Sequence, residues 1–389
     1  MKTQRQRALI RKIENILFYP LKKRNWDYWK NYKENKIVLN DFLNDTSKTV
    51  ILSKSMPFYG TLFQRPQHLA VQLSKLGVNY LYGELKNTNT TLINKNLLVT
   101  DYNLALKMTD NLKNKPYLLV TSTVGYSLKE LLKLKEKGYK FIYEYIDEMS
   151  EEIQDTKSGL EIFNNLEKLE PTLLLASSQK LYDELKTRFV EDKLLLNKNA
   201  VCLEDFENIS NCVPDDFQKI VYANKPIIGY YGAIASWLDY DLINHLTLSR
   251  PDYNFVFIGG DINKASENLL IRENVFWLGQ KEYSVLPNYS SRFDVAMIPF
   301  KNGQIAKSTS PLKLFEYMAL KKPVVCTKDL SECYGYSNVL ISQDTNEFVK
   351  NLDDAVNLSK NESLKAQLYE YAKQNTWTKR AKDIVLKLK

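Results

Sequence analysis

The sequence predicts an α/β protein with two halves, each built around a parallel β-sheet. Its 389 residues exceed one ordinary domain and suit two domains of roughly 150–200 residues each. Short apolar runs alternate with helical patterns, which is the element order of a parallel sheet with helices on both faces. A polar stretch at residues 215–225 interrupts the alternation, which then resumes. We therefore expect ligands at the carboxyl ends of the strands, in the cleft between the halves.

The apolar pattern predicts the individual elements. In the first half, short apolar runs predict strands at 49–53, 78–82, 117–121, 140–145 and 172–176. In the second half, they predict strands at 227–231, 254–258, 275–278, 295–299 and 323–327. Helical spacing predicts helices at 67–76, 240–248, 312–320, 348–359, 363–374 and 378–388. The predicted divisions are a basic segment 1–45, an N-terminal domain 46–222, a C-terminal domain 223–374 and a final helix 375–389.

The positive charge is concentrated at the start of the chain. Residues 1–36 contain eleven Lys and Arg against three Asp and Glu, which accounts for the whole net charge of +8. Five apolar residues there recur on one helix face, and aromatic residues follow them: Leu9, Ile10, Ile13, Ile16 and Leu17. A basic amphipathic helix with aromatic residues favours an anionic membrane surface. The alternative is a helix that packs on the body of the protein with solvated lysines.

Composition disfavours several classes of protein. No apolar run approaches the roughly 18 residues of a transmembrane helix, and charges interrupt the apolar stretch at 8–19, so no signal peptide is expected. We therefore expect a cytoplasmic protein, peripheral at the inner face of the cell membrane. The four cysteines show no CxxC spacing, and neither disulfides, a metal site nor a cofactor is expected. No nucleic-acid motif accompanies the charge, and no GxGxxG follows a predicted strand, which disfavours a nucleic-acid partner and a nicotinamide dehydrogenase.

The segment 310–325, SPLKLFEYMALKKPVV, is the strongest functional motif. It begins a helix through a proline, which suits a first helical turn. Hydroxyl and basic residues surround that start, and they predict a diphosphate site at the helix N-terminus: Ser308, Thr309, Ser310, Lys307 and Lys313. Glu316, further along the helix, is placed to accept hydrogen bonds from ribose hydroxyls. The alternative is an ordinary amphipathic helix with a solvated glutamate.

This segment resembles the donor-binding signature of retaining GT-B glycosyltransferases of family-four type, the glycosyl transferases group 1. Glu316 matches the glutamate of their KxxEYMAxGKPVV pattern, and the resemblance implies a catalytic and donor-binding role for it. These enzymes often carry a second glutamate eight residues earlier, where this chain has Ser308. The resemblance implies two Rossmann-like domains facing a central cleft, with a C-terminal helix that crosses back to the N-terminal domain.

Residues 225–239, KPIIGYYGAIASWLD, resemble the first strand and glycine loop of the family's C-terminal domain. There Gly232 would let the backbone approach the donor phosphates. Trp237 and Asp239 stand where a basic pair is common. We therefore expect phosphate neutralisation from the two lysines of the 310–325 region.

Residues 274–300 resemble the part of the family's fold that encloses the nucleotide base. Lys281 and Tyr283 follow Gly279 in this stretch. The resemblance therefore implies that Lys281 and Tyr283 bind the donor.

In the N-terminal half, residues 58–69, FYGTLFQRPQHL, resemble a subset of bacterial polysaccharide-assembly transferases with an RPxxLA motif. Gly60 would let the backbone approach a sugar. Arg65 suits an anionic group of the acceptor. His68 is expected at the cleft mouth as an acceptor-binding or catalytic residue, the alternative being a structural hydrogen-bonding role. Asp147 follows a predicted strand and is expected to bind a hydroxyl in catalysis, or else to be a solvated strand-end carboxylate.

Together these resemblances imply a retaining, metal-independent glycosyltransferase. The helix dipole and basic residues would stabilise the leaving diphosphate of a nucleotide-sugar. UDP is the commonest donor nucleotide in the resembled family. The expected acceptor is a glycan or lipid-linked glycan in bacterial surface-polysaccharide synthesis. Two alternatives stay open, a nucleotide-sugar 2-epimerase of GT-B fold and a non-catalytic GT-B scaffold at the membrane.

Overall fold

The computed structural model describes residues 31–389 except residues 46, 61, 86–88, 124, 149–155 and 208. Residues 1–30 lie outside this description, and so does the amphipathic helix predicted there. The described strands form two sheets, one of eight strands and one of six. The prediction of an α/β fold with two sheet-centred halves is therefore confirmed.

The N-terminal sheet has the strand order β3-β4-β2-β1-β5-β6-β7-β8. Its strands are β1 (Val50–Ser55), β2 (Asn79–Glu84), β3 (Thr91–Asn94), β4 (Leu97–Asp101), β5 (Tyr117–Thr121), β6 (Lys140–Tyr145), β7 (Leu173–Ala176) and β8 (Leu194–Leu196). Neighbouring strands are parallel, except that β3 runs antiparallel to β4. The carboxyl ends of the parallel strands therefore meet at one edge of the sheet.

Helices cover both faces of this sheet, which explains why most residues of its central strands are buried. The described part of α1 spans residues 31–43. It is followed by α2 (Arg65–Lys75), α3 (Tyr102–Thr109), α4 (Leu128–Glu136), α5 (Thr156–Asn164), α6 (Leu166–Leu169) and α7 (Gln179–Lys186). The connection to the second sheet contains α8 (Glu204–Glu207) and α9 (Asp215–Val221). Pro66 in the first turn and the bond from the Gln64 amide to Gln67 Oε1 (3.1 Å) start α2 at Arg65.

The C-terminal sheet is parallel throughout, with the order β11-β10-β9-β12-β13-β14. Its strands are β9 (Ile227–Tyr231), β10 (Asn254–Ile258), β11 (Val275–Trp277), β12 (Val295–Ile298), β13 (Val324–Thr327) and β14 (Val339–Ser342). Its helices are α10 (Tyr240–Ser249), α11 (Leu286–Ser290), α12 (Gln304–Ser308), α13 (Leu312–Ala319), α14 (Thr345–Leu358) and α15 (Glu362–Gln374). The order changes direction between β9 and β12, so these strand ends form the switch point where ligands bind in such sheets.

The last helix, α16 (Trp377–Leu388), crosses back to the N-terminal domain. Thr376 caps its start, because its hydroxyl accepts a hydrogen bond from the Lys379 amide at 3.3 Å. Trp377 is fully buried, and the Thr378 hydroxyl donates to Gln72 Oε1 of α2 at 3.0 Å. The predicted return of the final helix is therefore confirmed. Within the part of the chain that the structure describes, no helix has the length and apolar character needed to cross a bilayer.

Candidate active site

A cavity of about 310 Å³ lies between the two domains. The N-terminal domain contributes residues 62–64, which follow β1, and Asp147, which follows β6. The C-terminal domain contributes the ends of β9, β10 and β12, the loop after β11 and the first turns of α13. The cavity thus lies where both parallel sheets present the carboxyl ends of their strands, as expected.

Two glycines, at the ends of the adjacent strands β9 and β10, approach each other at the cavity. Gly232 has a φ of +138° and Gly259 a φ of +157°, which favours glycine at both positions. A Cβ on Gly259 would lie 1.8 Å from the Gly232 carbonyl oxygen, and a Cβ on Gly232 would lie 2.9 Å from Lys313 Cε. Gly232 therefore lets the backbone lie close to the Lys313 side chain, where a Cβ would not fit.

Lys313, in the first turn of α13, presents its ammonium group among aromatic rings. Its Nζ lies 5.4 Å from the ring centroid of Tyr230 and 5.1 Å from that of Phe300. Burial there lowers the pKa of Lys313 to about 8, while the charge of Glu316 acts in the opposite direction. A bound diphosphate would favour the protonated form of this lysine because opposite charges stabilise each other.

Glu316 is a buried carboxylate in the cavity wall. It is 1% exposed, and its Oε2 accepts a hydrogen bond from the Tyr231 hydroxyl at 2.7 Å. The Tyr231 amide in turn donates to the Tyr317 hydroxyl oxygen at 3.0 Å. Burial raises the pKa of Glu316 to about 7, against the lowering effects of the Tyr231 bond and of Lys313.

The three hydroxyl residues before α13 differ in their surroundings. Thr309 lines the cavity, and its hydroxyl donates to the Ile305 carbonyl at 2.6 Å. Ser308 is 1% exposed and donates to the Gln304 carbonyl at 3.0 Å. The Ser310 hydroxyl accepts from the Asn199 amide of the N-terminal domain at 3.1 Å. Ser308 and Ser310 thus hold this loop in place, and Thr309 is the hydroxyl residue of the three in the cavity wall.

Lys307 does not lie where the sequence predicted a phosphate-binding lysine. Its side chain is exposed, its Nζ is 3.8 Å from Asp329 Oδ2, and it is not part of the cavity wall. Of the two lysines expected to neutralise the phosphates, the structure brings Lys313 to the cavity and leaves Lys307 outside it.

The loop after β11 closes one side of the cavity. Lys281 lines the cavity and pairs with Asp216 at 2.6 Å. Tyr283 also lines it, and its ring stacks on Phe63 of the N-terminal domain with centroids 5.4 Å apart and planes inclined by 25°. The Phe63–Tyr283 stack therefore joins the two domains at the cavity wall.

Asp147 is the titratable residue that the N-terminal domain contributes to the cavity wall. Burial raises its pKa to about 6, and the charge of Arg65 acts in the opposite direction. Asp147 thus lies at the cavity, and its binding of a hydroxyl group stays a prediction. Among the described residues, no group of three or more His, Cys, Asp and Glu could hold a metal ion.

Arg65 lies inside the protein, which corrects the expectation that it meets an acceptor at the cleft mouth. It is 3% exposed, and its Nε contacts Glu144 Oε1 at 2.8 Å. Its Nη2 donates to Asn197 Oδ1 at 2.8 Å and its Nη1 to Asn199 Oδ1 at 3.3 Å. All three guanidinium nitrogens are thus engaged in a buried network that supports the cavity wall from behind.

His68 also lies behind the cavity wall. Its ring stacks on Trp377 at 5.1 Å with planes inclined by 10°, and meets the rings of Phe63 at 4.7 Å and Tyr283 at 5.3 Å edge-on. Burial lowers the pKa of His68 to about 3, so the ring is neutral. This geometry favours a packing role for the ring. It does not show the hydrogen-bonding role that was the alternative, because the buried Nε2 has no hydrogen-bond partner among the described residues. Gly60 is exposed on the loop after β1 and is not part of the cavity wall.

Sequence reasoning missed two contributors to this site. Tyr231 holds Glu316 through its hydroxyl, and Asn199 bonds the Ser310 hydroxyl and carbonyl from the other domain. The position of Tyr231 directly before Gly232 was the available signal for the first. No local pattern marks Asn199, because its partner lies 111 residues away in the chain.

Comparison with known proteins agrees with this description. Residues 225–357 match the family described as Glycosyl transferases group 1. A curated relative, "Putative teichuronic acid biosynthesis glycosyltransferase TuaH" of Bacillus subtilis (strain 168), is 30% identical over 160 residues. That match spans 40% of this chain and 40% of the relative.

Solved structures are similar over a larger part of the chain. Sucrose-phosphate synthase from Thermosynechococcus elongatus has a TM-score of 0.66 at 13% identity, over 87% of this chain and 98% of that one. The E. coli trehalose-6-phosphate protein bound with UDP-2-fluoro glucose has a TM-score of 0.65 at 11% identity, over 87% and 99%. Anabaena HepE in complex with UDP and glucose has a TM-score of 0.64 at 14% identity, again over 87% and 99%. At such identities the likeness concerns the fold. The chain therefore has the GT-B fold, and residues 225–357 of its C-terminal half are similar to the glycosyl transferases group 1.

Proposed function

We propose that the protein transfers a sugar from a nucleotide-sugar to a glycan acceptor across the interdomain cavity. One observation carries this proposal: Gly232, Lys313 and Glu316 share one wall of a cavity whose opposite wall contains Asp147. A glycine turn, a cation at a helix N-terminus and a buried carboxylate suit the phosphates and the ribose hydroxyls of a nucleoside diphosphate. A second carboxylate across the cavity suits an incoming hydroxyl group.

The donor diphosphate is proposed to bind between Gly232, Thr309 and the start of α13. When the bond between sugar and diphosphate breaks, negative charge develops on the leaving phosphate. The Lys313 ammonium and the N-terminal dipole of α13 would stabilise that charge. Because these groups belong to the protein, we expect donor binding and transfer without an added divalent metal.

Glu316 is proposed to bind the ribose of the donor. Tyr231 donates to one carboxylate oxygen, which leaves acceptor capacity on the other for ribose hydroxyls. The ionised form accepts these bonds most strongly. The Lys313 charge, which lowers the pKa of Glu316, therefore supports donor binding as well as phosphate neutralisation.

The comparisons support particular donor and acceptor classes. Two structures of the same fold hold UDP-2-fluoro glucose or UDP and glucose, which favours a UDP-hexose donor. The name of the Bacillus relative refers to teichuronic acid biosynthesis, which favours a surface polysaccharide or its lipid-linked precursor as acceptor. We place the protein at the cytoplasmic face of the membrane, attracted by the basic residues 1–36. Retention of anomeric configuration is part of the proposal.

A transfer assay tests this function. The protein is incubated with UDP-hexoses and lipid-linked glycan in the presence of EDTA, and UDP release and product configuration are measured by coupled assay and NMR. Glu316→Gln and Asp147→Asn should each lower kcat/KM by at least about tenfold, because each loses a hydrogen bond to a charged group. His68→Phe is the matched control and should stay within a few-fold of wild type, since a ring remains against Trp377.

The outcomes are separable. Full activity of both carboxylate variants would contradict the assigned cavity. A product of inverted configuration would overturn the retaining part alone.

A further inference from the structure

A group of exposed apolar side chains lies at the edge of the N-terminal domain beside the cavity. In the parallel register of β1 and β2, Ser55 pairs with Glu84, so Met56 and Leu85 leave the two strands side by side. Tyr59 follows on the same loop. Tyr59 is 69% exposed and Leu85 53% exposed. This group, the apolar rim, consists of Met56, Tyr59, Leu62 and Leu85.

The loop that carries the rim is anchored to the domain. The Phe58 amide donates to Glu84 Oε1 at 2.5 Å. The Phe58 ring is buried and meets the rings of Tyr82 at 5.1 Å and Phe63 at 6.0 Å edge-on. The amide hydrogen bond and the buried ring of Phe58 therefore anchor the loop. Met56 and Tyr59, on either side of Phe58, are exposed.

The rim reaches the mouth of the cavity. Leu62 is among the exposed large apolar residues and also lines the cavity. Whatever covers the rim therefore lies against the opening through which an acceptor must enter.

The described part of α1 begins at the same edge. Asn31 Nδ2 donates to Asn89 Oδ1 at 2.8 Å, and the Thr90 amide donates to Asn35 Oδ1 at 3.0 Å. Residues 89 and 90 lie a few positions after Leu85. The first described residues of α1 thus lie beside the loop that begins at the rim, and residues 1–36 carry the net charge of +8.

We propose that the apolar rim inserts into an anionic membrane surface and turns the cavity mouth toward the lipid. Apolar side chains at a headgroup boundary and nearby basic residues act together at anionic surfaces. Tyrosine suits this boundary because its ring is apolar and its hydroxyl stays in contact with water. The basic segment 1–36, which joins the described chain at this edge, favours anionic lipid over a protein partner. This inference rests on the proposed function, and it supplies the orientation that a lipid-linked acceptor requires.

A fluorescent label on the rim tests the contact directly. The full chain carries Tyr59→Cys in a Cys212→Ser background, because Cys212 is the exposed cysteine of the described residues. An environment-sensitive dye on Cys at this position should shift to the blue when phosphatidylglycerol–phosphatidylcholine vesicles are added. The matched label at Tyr222→Cys, an equally exposed position at 72%, should show no shift.

Vesicle co-sedimentation tests the energetic contribution. Tyr59→Ser with Leu85→Ser should weaken partition of the full chain onto the anionic vesicles by about tenfold or more. Each substitution removes apolar side-chain area that insertion into the vesicle would shield from water. Tyr222→Ser with Ile271→Ser removes comparable exposed side chains elsewhere and should bind as wild type. Raising the salt concentration should weaken vesicle binding by wild type, because salt screens the attraction between the basic residues and the anionic lipids.

The contrary results are distinct. A rim label that keeps its solvent spectrum while the protein binds vesicles would overturn the insertion. A blue shift with acceptor glycan alone, without vesicles, would assign the rim to the acceptor and overturn the lipid assignment, as would vesicle binding that the rim substitutions leave unchanged. Nucleotide-induced thermal stabilisation should be equal in wild type and in the rim variant. If neither protein were stabilised by a nucleotide, that result would count against the proposed function and not against the rim.

Discussion

At the scale of residues, Glu316 and Lys313 are two ionisable groups in the same wall of the cavity. Burial disfavours the charged form of both, because it raises the pKa of Glu316 and lowers that of Lys313. The pKa of Glu316 is about 7 in the fold, compared with 4.5 for the free group. Between these values the folded protein keeps a proton that the unfolded chain has released. Stability should therefore fall as the pH rises from about 4.5 to about 7, by about 3 kcal/mol for this residue.

This pH dependence is a prediction for Glu316→Gln. Free energies of unfolding from urea titrations across this pH range should fall less in Glu316→Gln than in wild type. Tyr231→Phe should extend the fall to higher pH, because the Tyr231 hydrogen bond lowers the pKa of Glu316 in the folded state. Glu136→Gln, at an exposed position on α4, serves as control. Identical pH profiles for wild type and Glu316→Gln would show that the carboxylate is not buried as described.

Sequence pattern predicted the residues whose role depends on local structure. Gly232, Lys313 and Glu316 follow a strand end or begin a helix, and the structure brings all three to the cavity. The positions of Arg65 and Lys307 could not be predicted in this way. Arg65 is buried because Glu144, 79 residues away, pairs with it, and Lys307 turns outward on the short α12.

At the scale of elements, the glycine turn after β9 determines whether a phosphate can approach α13. Gly232→Ala places a Cβ 2.9 Å from Lys313 Cε and from the Tyr230 hydroxyl at a φ of +138°. We predict that this variant folds but binds nucleoside diphosphates at least about tenfold more weakly, because the methyl group displaces Lys313 and strains the turn. Isothermal titration calorimetry measures the affinity.

Gly279→Ala is the control for backbone strain. Its φ is also positive, at +68°, yet no atom lies within 4 Å of the added methyl group. It should lower stability without closing the phosphate site. Equal loss of nucleotide affinity in both variants would contradict the specific role of Gly232.

Four strands were predicted with the bounds that the structure gives. The strands predicted at 117–121, 140–145, 227–231 and 254–258 coincide with β5, β6, β9 and β10. The sequence analysis missed β3, β4, β8 and β14. β3 is a half-exposed edge strand, and β8 has three residues, so neither shows the apolar run that marks a buried strand.

At the scale of the whole molecule, contacts between distant residues hold the domains around the cavity. Glu332 of the C-terminal domain accepts from the Gln179 amide at the start of α7 at 2.6 Å and pairs with Lys198 at 2.7 Å. The Asn199–Ser310 bonds and the Phe63–Tyr283 stack add further links. A sequence pattern predicts each sheet, but it does not determine these partners. The cavity between the sheets is therefore the part of the account that most needs measurement.

Nucleotide binding tests the central claim most directly. Thermal unfolding of the purified protein is followed in EDTA with UDP, GDP, ADP, dTDP and CMP, for wild type, Lys313→Met and Lys307→Met. A ligand at 100 times its Kd should stabilise wild type by about 2.7 kcal/mol. The account predicts stabilisation by one nucleoside diphosphate, lost in Lys313→Met and kept in Lys307→Met. The account would be contradicted if none of the nucleotides stabilised wild type. It would also be contradicted if the stabilisation were lost in Lys307→Met and kept in Lys313→Met.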